Sequence, residues 1–228
     1  MNPEDKMKHK MKGKNILIWG PAVDKEKENI VFENFDYIVI FNNYIDLIYK
    51  FNLDIIFLKR QIKLIWFTNG CYPRLKGSKE KIINNAKFIY KIIGKGTGRE
   101  KKSSGVDRVK MYLEEQPQPY LIRKSMKDII EIKGVRGTDL GINYVCSWLS
   151  DKGLKLIKIV GITFYNKENI EDNYEKDYPT HQTLGNGNIL DPKRGGRKHN
   201  IQKSIKKFKN FMNASYDITD ELKKIINF

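Results

Sequence analysis

Thr138–Asp151, TDLGINYVCSWLSD, followed after Gly153 by Leu156–Gly161, LIKIVG, is the stretch that decides the fold. Leu140, Tyr144, Val145, Trp148 and Leu149 recur at helical spacing, Thr138 and Asp139 give the polar start that helices favour, and Gly153 stops the run. The short apolar run behind it, rich in isoleucine and valine, reads as a buried strand. A helix that delivers the chain straight into a strand is the repeating unit of α/β sheets. The expected fold is therefore α/β, a Rossmann-like parallel sheet with helices on both faces.

Working outward, Asn15–Gly20 (NILIWG), Tyr37–Asn42 (YIVIFN) and Lys63–Asn69 (KLIWFTN) are three further β-rich runs, each ending in a polar or glycine tip. Between the second and third, Ile45, Leu47, Ile48 and Phe51 fall near helical spacing, as a crossover helix requires. Phe88–Ile93 is a candidate strand, and Gly94–Gly105, full of glycine, serine and charge, reads as a mobile loop. Periodicity fades from Asn166 to Lys198, which reads as a mobile, lid-like segment within the domain. Beyond it, Ile201, Ile205, Phe208 and Met212 mark the apolar stripe of a helix whose other face is lysine-rich, with His199 and Asn200 at its start. Asp217–Phe228 reads as a short terminal helix. No internal repeat divides the chain, so residues 1–228 are expected to form one domain.

The composition supports a folded core: 40% of the 228 residues are hydrophobic and 11% aromatic. The formal net charge of +16, from 43 Lys and Arg against 27 Asp and Glu, points to attraction to polyanions. Peripheral contact with an anionic membrane and nucleic-acid binding both fit that balance, and homo-oligomerisation stays open. Charge alone supplies no readout chemistry. Cys71 and Cys146 stand far apart without a CxxC or a neighbouring histidine, so neither a disulfide framework nor a zinc site is indicated. The apolar run Ile16–Trp19 is too short for a signal segment or a membrane span, and a cytoplasmic setting, with peripheral membrane contact open, is the expectation.

Open α/β sheets bind ligands at the carboxyl tips of their strands. Gly20, Pro21, Asn42, Asn43, Asn69 and Gly70 lie at such tips, where asparagine amides could meet a base or sugar edge, although each residue taken singly also suits a turn. The run Gly94–Gly98 lacks the order of a Walker loop. His199, at a helix start where positive potential disfavours imidazolium, suits a general base, and a solvated cap-region histidine is the plainer alternative. Tyr165, closing the strand-like run GITFY, and Tyr174 and Tyr178 after it, could donate hydrogen bonds to a phosphate or simply anchor a loop. No DxD or other acidic pair has metal spacing, and Glu171, Asp172, Glu175 and Asp177 read as solvated charge, so no metal site is expected.

Taken in order, WGPA (Trp19–Ala22), FDYIVIFNN (Phe35–Asn43), WFTN (Trp66–Asn69), RGTDLG (Arg136–Gly141), GITFY (Gly161–Tyr165) and HNIQKSIKKF (His199–Phe208) resemble the bacterial sialyltransferases of glycosyltransferase family 42 over nearly the whole chain. The resemblance implies the GT-A-like variant of the sheet, no cofactor, a nucleotide-sugar donor such as CMP-sialic acid, and a glycan acceptor. It places the donor nucleotide against Gly20, Pro21, Asn42, Asn43, Asn69, Thr138 and Gly141, gives Tyr165 and Tyr174 the leaving phosphate, and makes His199 the base. The implied activity is metal-independent, inverting transfer of sialic acid to a glycan hydroxyl. Trp19, Ala22, Asp139 and Thr163 depart from the family's pattern around the donor, which leaves open another nucleotide sugar. A basic nucleic-acid-binding protein with a vestigial pocket is the remaining alternative.

Overall fold

The computed structural model of the protein describes residues 3–41, 62–68, 89–94, 129–132, 140–165, 175 and 201–227. These residues contain seven strands: β1 (Asn15–Trp19), β2 (Tyr37–Phe41), β3 (Lys63–Thr68), β4 (Ile89–Gly94), β5 (Ile129–Ile132), β6 (Leu156–Val160) and β7 (Tyr216–Ile218). They form one sheet in the order β5-β4-β3-β2-β1-β6-β7, and every pairing is parallel. The described helices are α1 (Pro3–Met11), α2 (Gly141–Leu149), α3 (Ile201–Lys209) and α4 (Asp220–Ile226). An α/β fold on a parallel sheet is what the alternation of runs predicts.

A parallel strand is covered on both faces, so its sequence must be apolar at successive positions rather than at every second one. Ile16–Trp19 and all of Tyr37–Phe41 are buried accordingly. Ile16, Ile18, Val39, Phe41, Phe67, Ile157 and Ile159 share one core cluster with Met7 and Met11 of α1, Val145 and Leu149 of α2, Ile205 and Phe208 of α3, and Leu222 and Ile226 of α4. The alternate residues Leu17, Ile38, Ile40 and Leu64 are buried too. Over β1 and β6 this second face is covered by the segment after β1, whose 3-10 turns Lys25–Asn29 and Phe32–Asn34 bring Phe32 onto the Trp19 ring at 5.5 Å. Among the described residues no helix is long and apolar enough to cross a membrane.

Several elements differ from the sequence reading. Helix α2 is buried almost all round, Ile142, Asn143 and Cys146 included, because it lies between the sheet and α3 rather than at the surface. Residues 217–228 are not one helix: Tyr216–Ile218 adds a strand beside β6, Thr219 then caps α4 by accepting from the Leu222 amide at 3.3 Å, and Asn227 closes it in the left-handed conformation. The lysine-rich start forms α1, held by Met7 and Met11 one turn apart on the core side. Strand β6 stops at Val160, so Gly161–Tyr165 is a turn and not a strand end. The crossover helix expected near residues 44–51 and most of the loop at 94–105 lie outside the described residues.

Asp36 gathers the amino ends of three strands. Its carboxylate accepts from the Asn15 amide at 3.0 Å and pairs with Lys14 at 2.9 Å, its own amide donates to the Asn15 carbonyl, and its carbonyl accepts from the Lys63 amide at 3.0 Å. Burial works against the carboxylate charge, yet the Asn15 amide and the Lys14 ammonium outweigh it and hold the group below the usual range. A depressed folded-state pKa contributes stability that is present above the unfolded value of about 3.9 and is lost as pH falls through the folded value. With 37% of the side chain exposed, the contribution is screened. Asp36→Asn should therefore lower the unfolding free energy at neutral pH by on the order of 1 kcal/mol, and urea melts near pH ~2 should show that difference closing. An equal loss at both pH values would rule out the carboxylate charge as its source.

Candidate functional site

The order of strands reverses at β1. From β1 the chain adds β2 to β5 on one side, and β6 and β7 return on the other, so the carboxyl ends of β1 and β6 flank the switch point where open α/β sheets form their binding crevice. The two turns leaving those strands interlock. The Gly20 amide donates to the Val160 carbonyl at 2.8 Å and the Ala22 amide to the Gly161 carbonyl at 3.0 Å. A Cβ on Gly20 would lie 2.1 Å from the Gly161 oxygen, and one on Gly161, whose φ is +68°, would lie 2.6 Å from the Gly20 oxygen. Only two residues without side chains allow this approach.

Behind the first turn lies Lys27, 7% exposed. Its ammonium donates to the carbonyls of Gly20 at 2.7 Å and Ala22 at 2.8 Å, pairs with the Glu175 carboxylate, and rests 5.0 Å from the centre of the Trp19 ring. The Glu175 amide donates to the Pro21 carbonyl at 2.7 Å. Glu175, read from sequence as solvated charge, is 7% exposed and buried against this turn. The reading failed because its partner lies 148 residues away. Asp24 completes the frame, one carboxylate oxygen accepting from the Glu26 amide at 3.0 Å and the other from the Gly161 amide at 2.9 Å.

This hydrogen bonding defines what the turn can offer. The amides of Gly20 and Ala22 are committed to β6 and the turn after it, Pro21 has none, and all three carbonyls accept bonds from Lys27 or Glu175. The turn is thus a rigid wall for close approach, and it is not a nest of amides for a phosphate.

The second turn carries Tyr165. Phe164 and Tyr165 occupy the left-handed region, at φ +53° and +58°. Two successive non-glycine residues there cost on the order of 1–2 kcal/mol each. Burial of Phe164, in edge contact with Phe208 of α3 at 5.2 Å, holds the conformation, and Tyr165 packs half-buried at the margin of the core. The amino end of α2 lies over the ends of β2 and β3: a Cβ on Gly141 would lie 3.2 Å from both the Phe41 and the Phe67 rings. Asn143, two residues further, donates to the Ser204 carbonyl of α3 at 3.0 Å.

Of the residues picked from sequence, Gly20, Pro21 and Tyr165 lie on the two turns at the β1 and β6 ends, and Gly141 lies at the ends of β2 and β3. Asn42, Asn43, Asn69, Thr138, Tyr174 and His199 lie outside the described residues, as does the lid-like segment 166–198 apart from Glu175. Lys27, Asp24 and Glu26 were hidden in a charged run, DKEKEN, with no periodicity to mark them. Among the described residues no group of His, Cys, Asp or Glu side chains gathers to hold a metal ion. Cys146 is no nucleophile, because burial pushes its thiol up to about 12, the nearby Tyr216 hydroxyl only partly opposing. Comparison with protein-family models, with curated proteins and with solved structures finds no match.

Removing one partner of a buried, hydrogen-bonded charge pair strands the other, at a cost of roughly 3–5 kcal/mol. Lys27→Met and Glu175→Leu should each destabilise the protein by about that amount, and the double variant by clearly less than the sum. Denaturant melts of the four proteins measure the coupling, and strict additivity would show that the pair does not act as one. Gly161→Ala, which adds a clash to a left-handed backbone, should cost at least about 2 kcal/mol in the same assay.

Proposed function

We propose that the protein is a sialyltransferase-like glycosyltransferase that binds the nucleotide of a CMP-sugar in the crevice at the carboxyl ends of β1 and β6. The single observation that carries this reading is the meeting of the Gly20–Ala22 turn and the Tyr165 turn at the point where the strand order reverses. In this reading the fold is a Rossmann-like sheet of the GT-A-like kind. The Gly20–Ala22 turn, its backbone groups already committed, is the wall against which the donor lies, and the asparagines that follow β2 and β3 in sequence, Asn42, Asn43 and Asn69, read the base and ribose. Gly141 at the start of α2, with Thr138 shortly before it in sequence, completes the nucleotide contacts.

Transfer then needs three things of this chain: a base for the acceptor hydroxyl, stabilisation of the departing phosphate, and exclusion of competing water. His199 takes the acceptor proton as the hydroxyl attacks the anomeric carbon, with inversion. A nucleoside monophosphate is already a good leaving group, so hydroxyl donors suffice to stabilise its charge. Tyr165, held in place by the strained turn and by Phe164, is one such donor, and Tyr174 is the second. CMP-sialic acid is the proposed donor and a glycan hydroxyl the acceptor.

Calorimetric titration with CMP, UMP and GMP, first without and then with a divalent cation, tests the nucleotide. Selective binding of CMP is expected, and binding of none of the three removes the reading. With CMP-sialic acid and an acceptor, His199→Ala should abolish transfer while CMP binding persists, and Tyr165→Phe should lower kcat by about 100-fold. Unchanged transfer in either variant withdraws that residue's role.

A further inference from the structure

We propose that the end of the sheet opposite the candidate site is a docking surface for an anionic phospholipid membrane. The surface is assembled by the backbone. With Met7 and Met11 in the core, the rest of the circumference of α1 faces out, and Lys8, His9, Lys10, Lys12 and Lys14 are all exposed. The Gly13 amide donates to the Gly153 carbonyl at 2.8 Å and the Lys155 amide to the Lys14 carbonyl at 3.0 Å, which brings the exposed Lys155 beside them. Asp36, paired with Lys14, accepts the Lys63 amide on its carbonyl and so adds a sixth lysine.

Asp36 and Asp151 answer this group, the first through Lys14 and the second through Lys8 at 3.6 Å and the buried Lys152, and Asp5 is a further acid on α1. The lysines crowd one another. Burial and then the charges of Lys10 and Lys14 hold the Lys63 ammonium below the usual lysine range, with Asp36 alone opposing. A surface that repels itself in this way is stabilised by bound anions.

The side chains favour lipid over nucleic acid. The positively charged side chains named in the patch are lysines, each a compact charge without the planar fork that reads bases in pairs. Its aromatic ring, Tyr37 beneath Lys63, is fully buried and offers no stacking platform. Among the described residues the exposed large apolar side chains, Val23 and Val31, belong to the segment after β1 and not to the patch. A polylysine face of this kind suits a mobile layer of anionic headgroups, held by charge without insertion. Docked so, the protein turns the carboxyl ends of its strands away from the lipid. The proposal stands independently of the sugar-transfer reading.

Co-sedimentation of the full chain with vesicles of phosphatidylcholine alone, and of phosphatidylcholine with roughly one-third phosphatidylglycerol, tests it. Binding is expected only to the anionic vesicles, and raised salt should abolish it. Lys10→Gln, Lys12→Gln and Lys155→Gln combined should weaken binding by on the order of 100-fold, at about fivefold per lysine. Lys25→Gln, Lys206→Gln and Lys224→Gln, the same loss of charge at exposed positions elsewhere, should change it several-fold at most, and circular dichroism of both variants reports whether each is folded. Equal weakening by the two triples, binding to neutral vesicles, or a shift of a random-sequence oligonucleotide without vesicle binding would each overturn the proposal, the last assigning the patch to nucleic acid.

Discussion

A buried ammonium governs the architecture at the switch point. Taking a lysine charge out of water is unfavourable by several kcal/mol unless its hydrogen-bonding capacity is met. Lys27 meets it with two carbonyls of one turn and a carboxylate from a distant part of the chain, over the face of Trp19. Those partners fix the direction of the Gly20 and Ala22 carbonyls, and the amides of the same residues are fixed separately by the Val160 and Gly161 carbonyls. The wall of the crevice is therefore set from behind. Residue 175 belongs to the same arrangement through both its amide and its carboxylate, so the turn and the chain around that position cannot be placed independently.

The charged segment after β1 shows how polar sequence can cover a sheet. Asp24 bonds the amides of Glu26 and Gly161, while Glu26 reaches Lys158 at 3.0 Å and the Asp220 amide at the start of α4 at 3.0 Å. Burial works against the charge of Lys158, but Glu26 and Asp217 together outweigh it and hold its ammonium above the usual lysine range. A lysine in the middle of a strand is thereby accommodated on the second face, where Leu17 and Val160 are apolar. Asp24, Glu26 and Lys27 each have a partner outside their own turn, and these ties hold the short 3-10 turns against the sheet.

How much of this was legible follows from range. The runs NILIW, YIVIF and LIKIV declare themselves because a strand buried on both faces is apolar at nearly every position, Lys158 being the exception that Glu26 and Asp217 accommodate. Strand β7 was not visible, since YDI pairs with β6 alone and its identity depends on that partner. Nor was α1, whose two methionines among lysines are too few to show a stripe. GITFY carries β-rich residues, yet the Gly161 backbone turns the chain before they can join the ladder, because only there can β1 and β6 approach so closely. The strand tips were legible, since topology puts ligands at carboxyl ends. The frame behind them was not, because the Lys27–Glu175 pair is a tertiary fact.

The conformation at Tyr165 ties the core to the crevice. A left-handed non-glycine residue persists only when its surroundings over-determine it, and here the surroundings are specific. The Asp24 bond to the Gly161 amide fixes where the turn begins, and Phe164, locked against Phe208, fixes its middle. Tyr165 is left with little freedom of backbone direction. A turn that served only to connect β6 to the next segment could relax into ordinary φ by a small shift of the chain. This turn retains two strained residues in succession beside a wall whose backbone groups are already committed. The packing of α3 is thus a condition for the position of Tyr165, since the Phe208 ring holds Phe164 beside it.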